Sequence, residues 1–230
     1  MGQNAEAASP PSPASSPSSL PANPADQAGG AAPPGRAARL SARDLLSVAI
    51  FAVIFLVAVW AIAMLGVISP LVWLLATPLQ IIVGAIPFML FLTRVQRLGV
   101  VSLFGVVIAL FYLLAGNSPL SSALIALLGV AADVVCRAGS YRSKWSSIWA
   151  YTVFSLGFFT PFLPLFADRE AYFATTTWES MGADYIEQAN QLLTLPVLGG
   201  LAAVVAAAGF AGALIGSATL RKHFARAGLA

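Results

Sequence analysis

Asp168, Arg169, Tyr172 and Trp178 lie close together in the stretch ADREAYFATTTWESMGADYIEQ, 167–188. These residue types suit binding better than turnover. Aromatic rings offer stacking area, and an arginine offers a planar fork for a carboxylate or carbonyl. Trp73 and Asn117 stand at two short polar turns, GVISP and AGNSP. The pattern predicts a site for an aromatic or heterocyclic, polar small molecule, lined by Trp73, Asn117, Asp168, Arg169, Tyr172 and Trp178. The plainer reading of Arg169 is a surface ion pair with Asp168 or Glu170.

Other chemistries lack their parts. No paired carboxylates, serine with a base, or histidines at metal spacing gather at one depth, so the sequence gives no reason to expect an enzyme, a metal or a cofactor. The single histidine, His223, sits in RKHFAR, a basic run suited to lipid headgroups. No phosphate-cradling glycine pattern occurs, so ATP hydrolysis would have to come from a partner. The single cysteine, Cys136, excludes a disulfide within the chain. Asp133 is the one carboxylate inside an apolar run. It precedes Arg137 by four residues, which reads as an i,i+4 ion pair near a helix end.

The elements that would position the aromatic and acidic segment are membrane helices. A chain of 230 residues that is 59% hydrophobic and 9% charged cannot bury its apolar side chains in a water-soluble domain. Its net charge of +3 therefore concerns orientation in a bilayer and not nucleic acid. Residues 1–40, rich in Pro, Ser and Ala, read as a disordered leader without a secretory signal. Residues 41–230 read as an all-α membrane domain with six spans, about 45–66, 71–92, 98–115, 119–136, 145–167 and 193–220. Pro161 and Pro164 should break the fifth span and leave irregular backbone beside a cavity.

Eleven of the twelve Lys and Arg residues fall on one face of this alternating topology. They are Arg36, Arg39 and Arg43; Arg94 and Arg97; Arg137, Arg142 and Lys144; Arg221, Lys222 and Arg226. By the positive-inside rule that face and both termini are cytoplasmic, at the cell membrane. The 168–192 loop is then external, with its five carboxylates Asp168, Glu170, Glu179, Asp184 and Glu187. Its second half places Tyr185, Ala189 and Leu192 on one stripe, predicting an interfacial helix. Ala208, Gly212 and Gly216 form a small-residue stripe on the last span, suited to packing within the bundle. Ala49 and Ala52, with Ser47, make the first span smooth near its cytoplasmic half.

RDLLSVAIFAVIF, GAIPFMLFLTRVQRLGVVSLFG, GVAADVVCRAGSYRSKW, FFTPFLPLFADREAYF and RKHFARAGLA together resemble the Trep_Strep (MptD-type) family of energy-coupling factor (ECF) transporter S components, from about Ser41 to Ala230. The resemblance implies a six-helix subunit that captures a micronutrient at the outer face and delivers it to a transmembrane scaffold subunit with two ATPases. It also implies that the alanine-bearing face of helix one, here Ala49 and Ala52 spaced by three, docks on that scaffold. The alternative is a self-contained secondary transporter or channel. Such a carrier usually shows internal repeats, paired interrupted helices or a midplane charge, none of which this sequence offers.

Overall fold

Serine followed by proline starts two of the long helices. In each pair the serine hydroxyl accepts from a backbone N–H of the first turn, and proline occupies the first helical position, where no N–H is needed. Ser69 caps Pro70–Arg94 through Val72, and Ser118 caps Pro119–Ala138 through Ser121. The computed structural model describes residues 41–141 and 143–226, with side chains up to residue 220. The leader expected over 1–40 and Arg142 lie outside the described residues.

The described residues form helices joined by turns, with no strand among them. Helix α1 (Ala42–Ala63) opens with a reciprocal capping box between Ser41 and Asp44 and ends in a 3₁₀ turn, Met64–Val67. Helix α2 (Pro70–Arg94) is followed by α3 (Val100–Leu114) and α4 (Pro119–Ala138). Helix α5 (Lys144–Ser155) gives way to a 3₁₀ segment, Leu156–Phe162. Four short helices follow: α6 (Pro164–Ala167), α7 (Arg169–Phe173), α8 (Thr176–Glu179) and α9 (Ala183–Leu192). The last helix, α10, runs from Leu195 to Arg226.

Four of these segments, Ala42–Val67, Pro70–Arg94, Pro119–Ala138 and Leu195–Leu220, are long and apolar enough to cross a membrane. The expected span 98–115 is a shorter apolar helix of 15 residues. The expected span 145–167 is broken around Pro161 and Pro164, where proline removes helix hydrogen bonds. Large apolar side chains such as Leu46, Val53 and Val57 on α1 and Leu71 and Leu75 on α2 are more than half exposed, which suits a lipid environment.

Helix α2 is central, packing against α1, α5, α9 and α10. Phe55, Phe88, Phe91, Phe104 and Phe154 interlock in the core with ring centroids 4.9–5.9 Å apart for their closest pairs. Tyr151 is fully buried and donates to the Ile81 carbonyl at 2.5 Å. The small-residue stripe of α10 does pack internally: a Cβ on Gly212 would come within 3.0 Å of the Ile82 Cα on α2. The tightest crossing joins α3 and α4, where a Cβ on Gly105 or Gly129 would stand 2.7 Å from the other's Cα.

Two expectations are corrected. Asp133 does not pair with Arg137. It is 1% exposed and accepts from the Gly99 N–H at 2.7 Å, the Ser102 hydroxyl at 2.8 Å and the Tyr141 phenol at 2.9 Å, while Arg137 is exposed. Two donors at the start of α3 and one from the turn after α4 satisfy a buried carboxylate better than one solvated guanidinium. Nor do Ala49 and Ala52 share an outer face. Ala52 is 1% exposed, in the inward stripe with Val48, Phe55 and Val59, whereas Ala49 is exposed. Three residues turn a helix by about 300°, enough to put the two alanines on either side of the packing boundary.

Candidate ligand-binding cavity

The turn 64–67, the turn 115–119 and the segment 161–185 meet at one end of the bundle and enclose a cavity of about 660 Å³. That volume suits a small organic molecule. The opposite end carries Arg43, Arg94, Arg97, Arg137 and Lys144, at the start of α1, the α2–α3 turn and the α4–α5 turn. There Arg97 bridges to Asp44 at 3.3 Å.

Four aromatic side chains, Trp73, Tyr172, Trp178 and Tyr185, stand in the wall. Trp73, at the start of α2, stacks on Phe162 with centroids 4.6 Å apart, which fixes its ring. Gly66 makes that placement possible, because a Cβ there would lie 3.0 Å from Trp73. Trp178, on α8, stands against Trp73 at 5.8 Å, Tyr172 at 5.4 Å and Tyr185 at 6.0 Å. Burial pushes the phenols of Tyr172 and Tyr185 above the usual tyrosine value, so both remain protonated at neutral pH. The Tyr185 hydroxyl donates to the Gly66 carbonyl at 2.7 Å, tying α9 to the end of α1.

The polar groups are few. Asn117 lines the cavity and donates its side-chain N–H to the Tyr112 carbonyl at 3.2 Å, which holds the amide in place. Asp168 is exposed at the rim and caps α7 by accepting from the Ala171 N–H at 2.9 Å. Thr175 and Thr177 add hydroxyls.

Of the residues singled out from sequence, Trp73, Asn117, Asp168, Tyr172 and Trp178 line this one cavity. Arg169 does not. Its Nε donates to the Asn190 side chain at 2.5 Å, one terminal nitrogen to the Leu193 carbonyl at 2.9 Å and the other to the Asn190 carbonyl. Its guanidinium also lies over the Phe173 ring, 5.8 Å from the centroid. Neither the ligand fork nor the surface ion pair describes this arginine: it clamps the C-terminal end of α9, where helix carbonyls lack internal partners.

Sequence reasoning missed Tyr185, Met64 and Met181 as wall residues. Tyr185 was legible only as part of the apolar stripe of α9. That stripe is present, with Ala189 fully buried and Tyr185 and Leu192 half-buried. No cluster of three or more His, Cys, Asp or Glu side chains with metal-binding geometry occurs among the described residues.

Residues 42–226 match a family described as hypothetical bacterial integral membrane protein (Trep_Strep). The chain belongs to the Trep_Strep family. Together with its four membrane-length apolar helices, that membership makes it a multi-pass helical membrane protein. No curated protein and no solved structure matches this Trep_Strep chain.

Proposed function

We propose that this Trep_Strep protein is the substrate-binding S component of an ECF-type, ATP-driven micronutrient importer, with six spans, cytoplasmic termini and the cavity opening outside the cell. The observation that carries the reading is the aromatic-walled cavity at the end of the bundle remote from the basic residues. By the positive-inside rule that remoteness favours an external mouth. Trp145 and Trp149, both more than half exposed on α5 near the basic end, suit the interfacial aromatic belt. The resemblance of the sequence to ECF S components supplies the partners: a transmembrane scaffold subunit and two ATPases. The absence of a phosphate-cradling motif from this chain is consistent with energy supplied by others.

The docking face on α1 needs revision, because Ala52 belongs to the core. The outward face beside Ala49, with Ile50 and Val53, is the surface we assign to the scaffold. The test purifies the full chain, identifies the co-purifying small molecule by mass spectrometry and follows its uptake. Ala49→Trp should leave binding by the isolated chain intact and reduce uptake in cells to background, because a bulky side chain blocks close helix approach. Transport by the purified chain alone in liposomes, without ATP, would sink the proposal in favour of a self-contained carrier.

A further inference from the structure

We propose that the cavity selects a planar aromatic or heteroaromatic cation and discriminates against anions. The inference rests on reading the cavity as a ligand site and adds the charge class of its ligand. Two independent observations support it.

The first is the inventory of charge on the wall. Among the described residues, Asp168 is the one charged side chain that lines the cavity. The nearest arginine in sequence, Arg169, has its guanidinium committed to Asn190, Leu193 and the face of Phe173. An anion entering the cavity would lose hydration against Trp73, Tyr172, Trp178 and Tyr185 and meet no positive side chain in return. A cation would meet the negative faces of those rings and a carboxylate whose second oxygen remains after one caps α7.

The second is the field around the mouth. Segment 168–192 carries five carboxylates, Asp168, Glu170, Glu179, Asp184 and Glu187, against the single Arg169, a net charge of −4. All five are exposed. A concentration of one sign around a low-dielectric opening raises the local concentration of counter-charged solutes and speeds their capture. Exposed charges are screened by salt, so this contribution falls with ionic strength, whereas contact with the rings does not.

The test compares three probes of one shape on the purified full-length chain by isothermal titration calorimetry at neutral pH. They are N-methylquinolinium (cation), quinoline (neutral) and quinoline-2-carboxylate (anion). The expected order is cation tightest, by about tenfold over the neutral ring, with the carboxylate weakest. Asp168→Asn keeps a good helix cap while removing the charge, so it should narrow the cation-to-neutral gap. Trp178→Ala should weaken both. Raising salt should weaken binding of the cation and leave that of quinoline unchanged. Carboxylate binding as tight as that of the cation, three equal affinities, or no binding of the cation at millimolar concentration would overturn the inference. These measurements use the isolated chain, so they stand or fall separately from the importer reading, which is decided by uptake and its dependence on ATP and partners.

Discussion

The Tyr185 phenol on α9 reaches the carbonyl of Gly66 at the end of α1, 119 residues earlier in the chain, at 2.7 Å. Through this bond the short helices over the cavity are fastened to the bundle by a group that also forms part of the wall. Tyr185→Phe keeps the ring and removes the bond, worth about 0.5–1.5 kcal/mol. Hydrogen exchange of 183–192 should accelerate about twofold to tenfold, with α2 to α5 unchanged. Equal protection in the two proteins would mean that the bond does not hold the cap.

Arg169 should behave as a fastener too. Arg169→Gln removes three donors to Asn190 and Leu193, of the charge-assisted kind worth about 1.5–3 kcal/mol in total local stability. Cleavage after Glu187 by a glutamate-specific protease should accelerate severalfold. The preference for probe charge in the cavity should stay as it is, because the guanidinium faces away from the ligand. A reversal of that preference would place Arg169 in the site.

Asp133 tests the difference between an ion pair and a buried helix cap. Asp133→Ala leaves the Gly99 N–H, the Ser102 hydroxyl and the Tyr141 phenol without their acceptor, and the loss should be about 3–5 kcal/mol. Arg137→Ala should change stability by less than about 0.5 kcal/mol, as expected of an exposed side chain. Thermal unfolding in detergent measures both. Similar losses for the two variants would restore the ion pair.

Orientation is tested by thiol labelling of intact cells in a Cys136→Ser background. Ser180→Cys, exposed after α8, should react with a membrane-impermeant reagent, and Lys144→Cys, exposed at the basic end, should not. Ser143 is less suitable as a labelling site, since its hydroxyl caps α5. The opposite pattern would put the cavity on the cytoplasmic side and remove the basis for capture from outside.

Features governed by nearby residues were legible in the sequence. Uncharged apolar runs announced the long helices, Pro161 and Pro164 announced the break after α5, and the period of Tyr185, Ala189 and Leu192 announced the apolar face of α9. Features governed by distant partners were not. Asp133 has Arg137 at favourable helical spacing, yet the groups that satisfy it include Gly99 and Ser102 from another helix. Arg169 has acidic neighbours on both sides, yet its partners lie more than twenty residues ahead, at a helix end that only folding brings near. Gly105 and Gly129 stand on different helices, so nothing in the sequence pairs them, yet each is small for the sake of the other.

The unequal lengths of the helices have a mechanical consequence for the surrounding lipid. Helix α3, with 15 residues, is about 22 Å long, short of the roughly 30 Å hydrocarbon layer, while the 26 apolar residues 195–220 of α10 extend about 39 Å. On the six-span reading proposed above, a bilayer around such a body is pinched beside α3 and stretched or met by tilt beside α10. The turn after α3 forms one lip of the cavity, so the fit of the bilayer beside α3 bears on that lip. Bilayer thickness thereby becomes a variable that can act on one edge of the cavity.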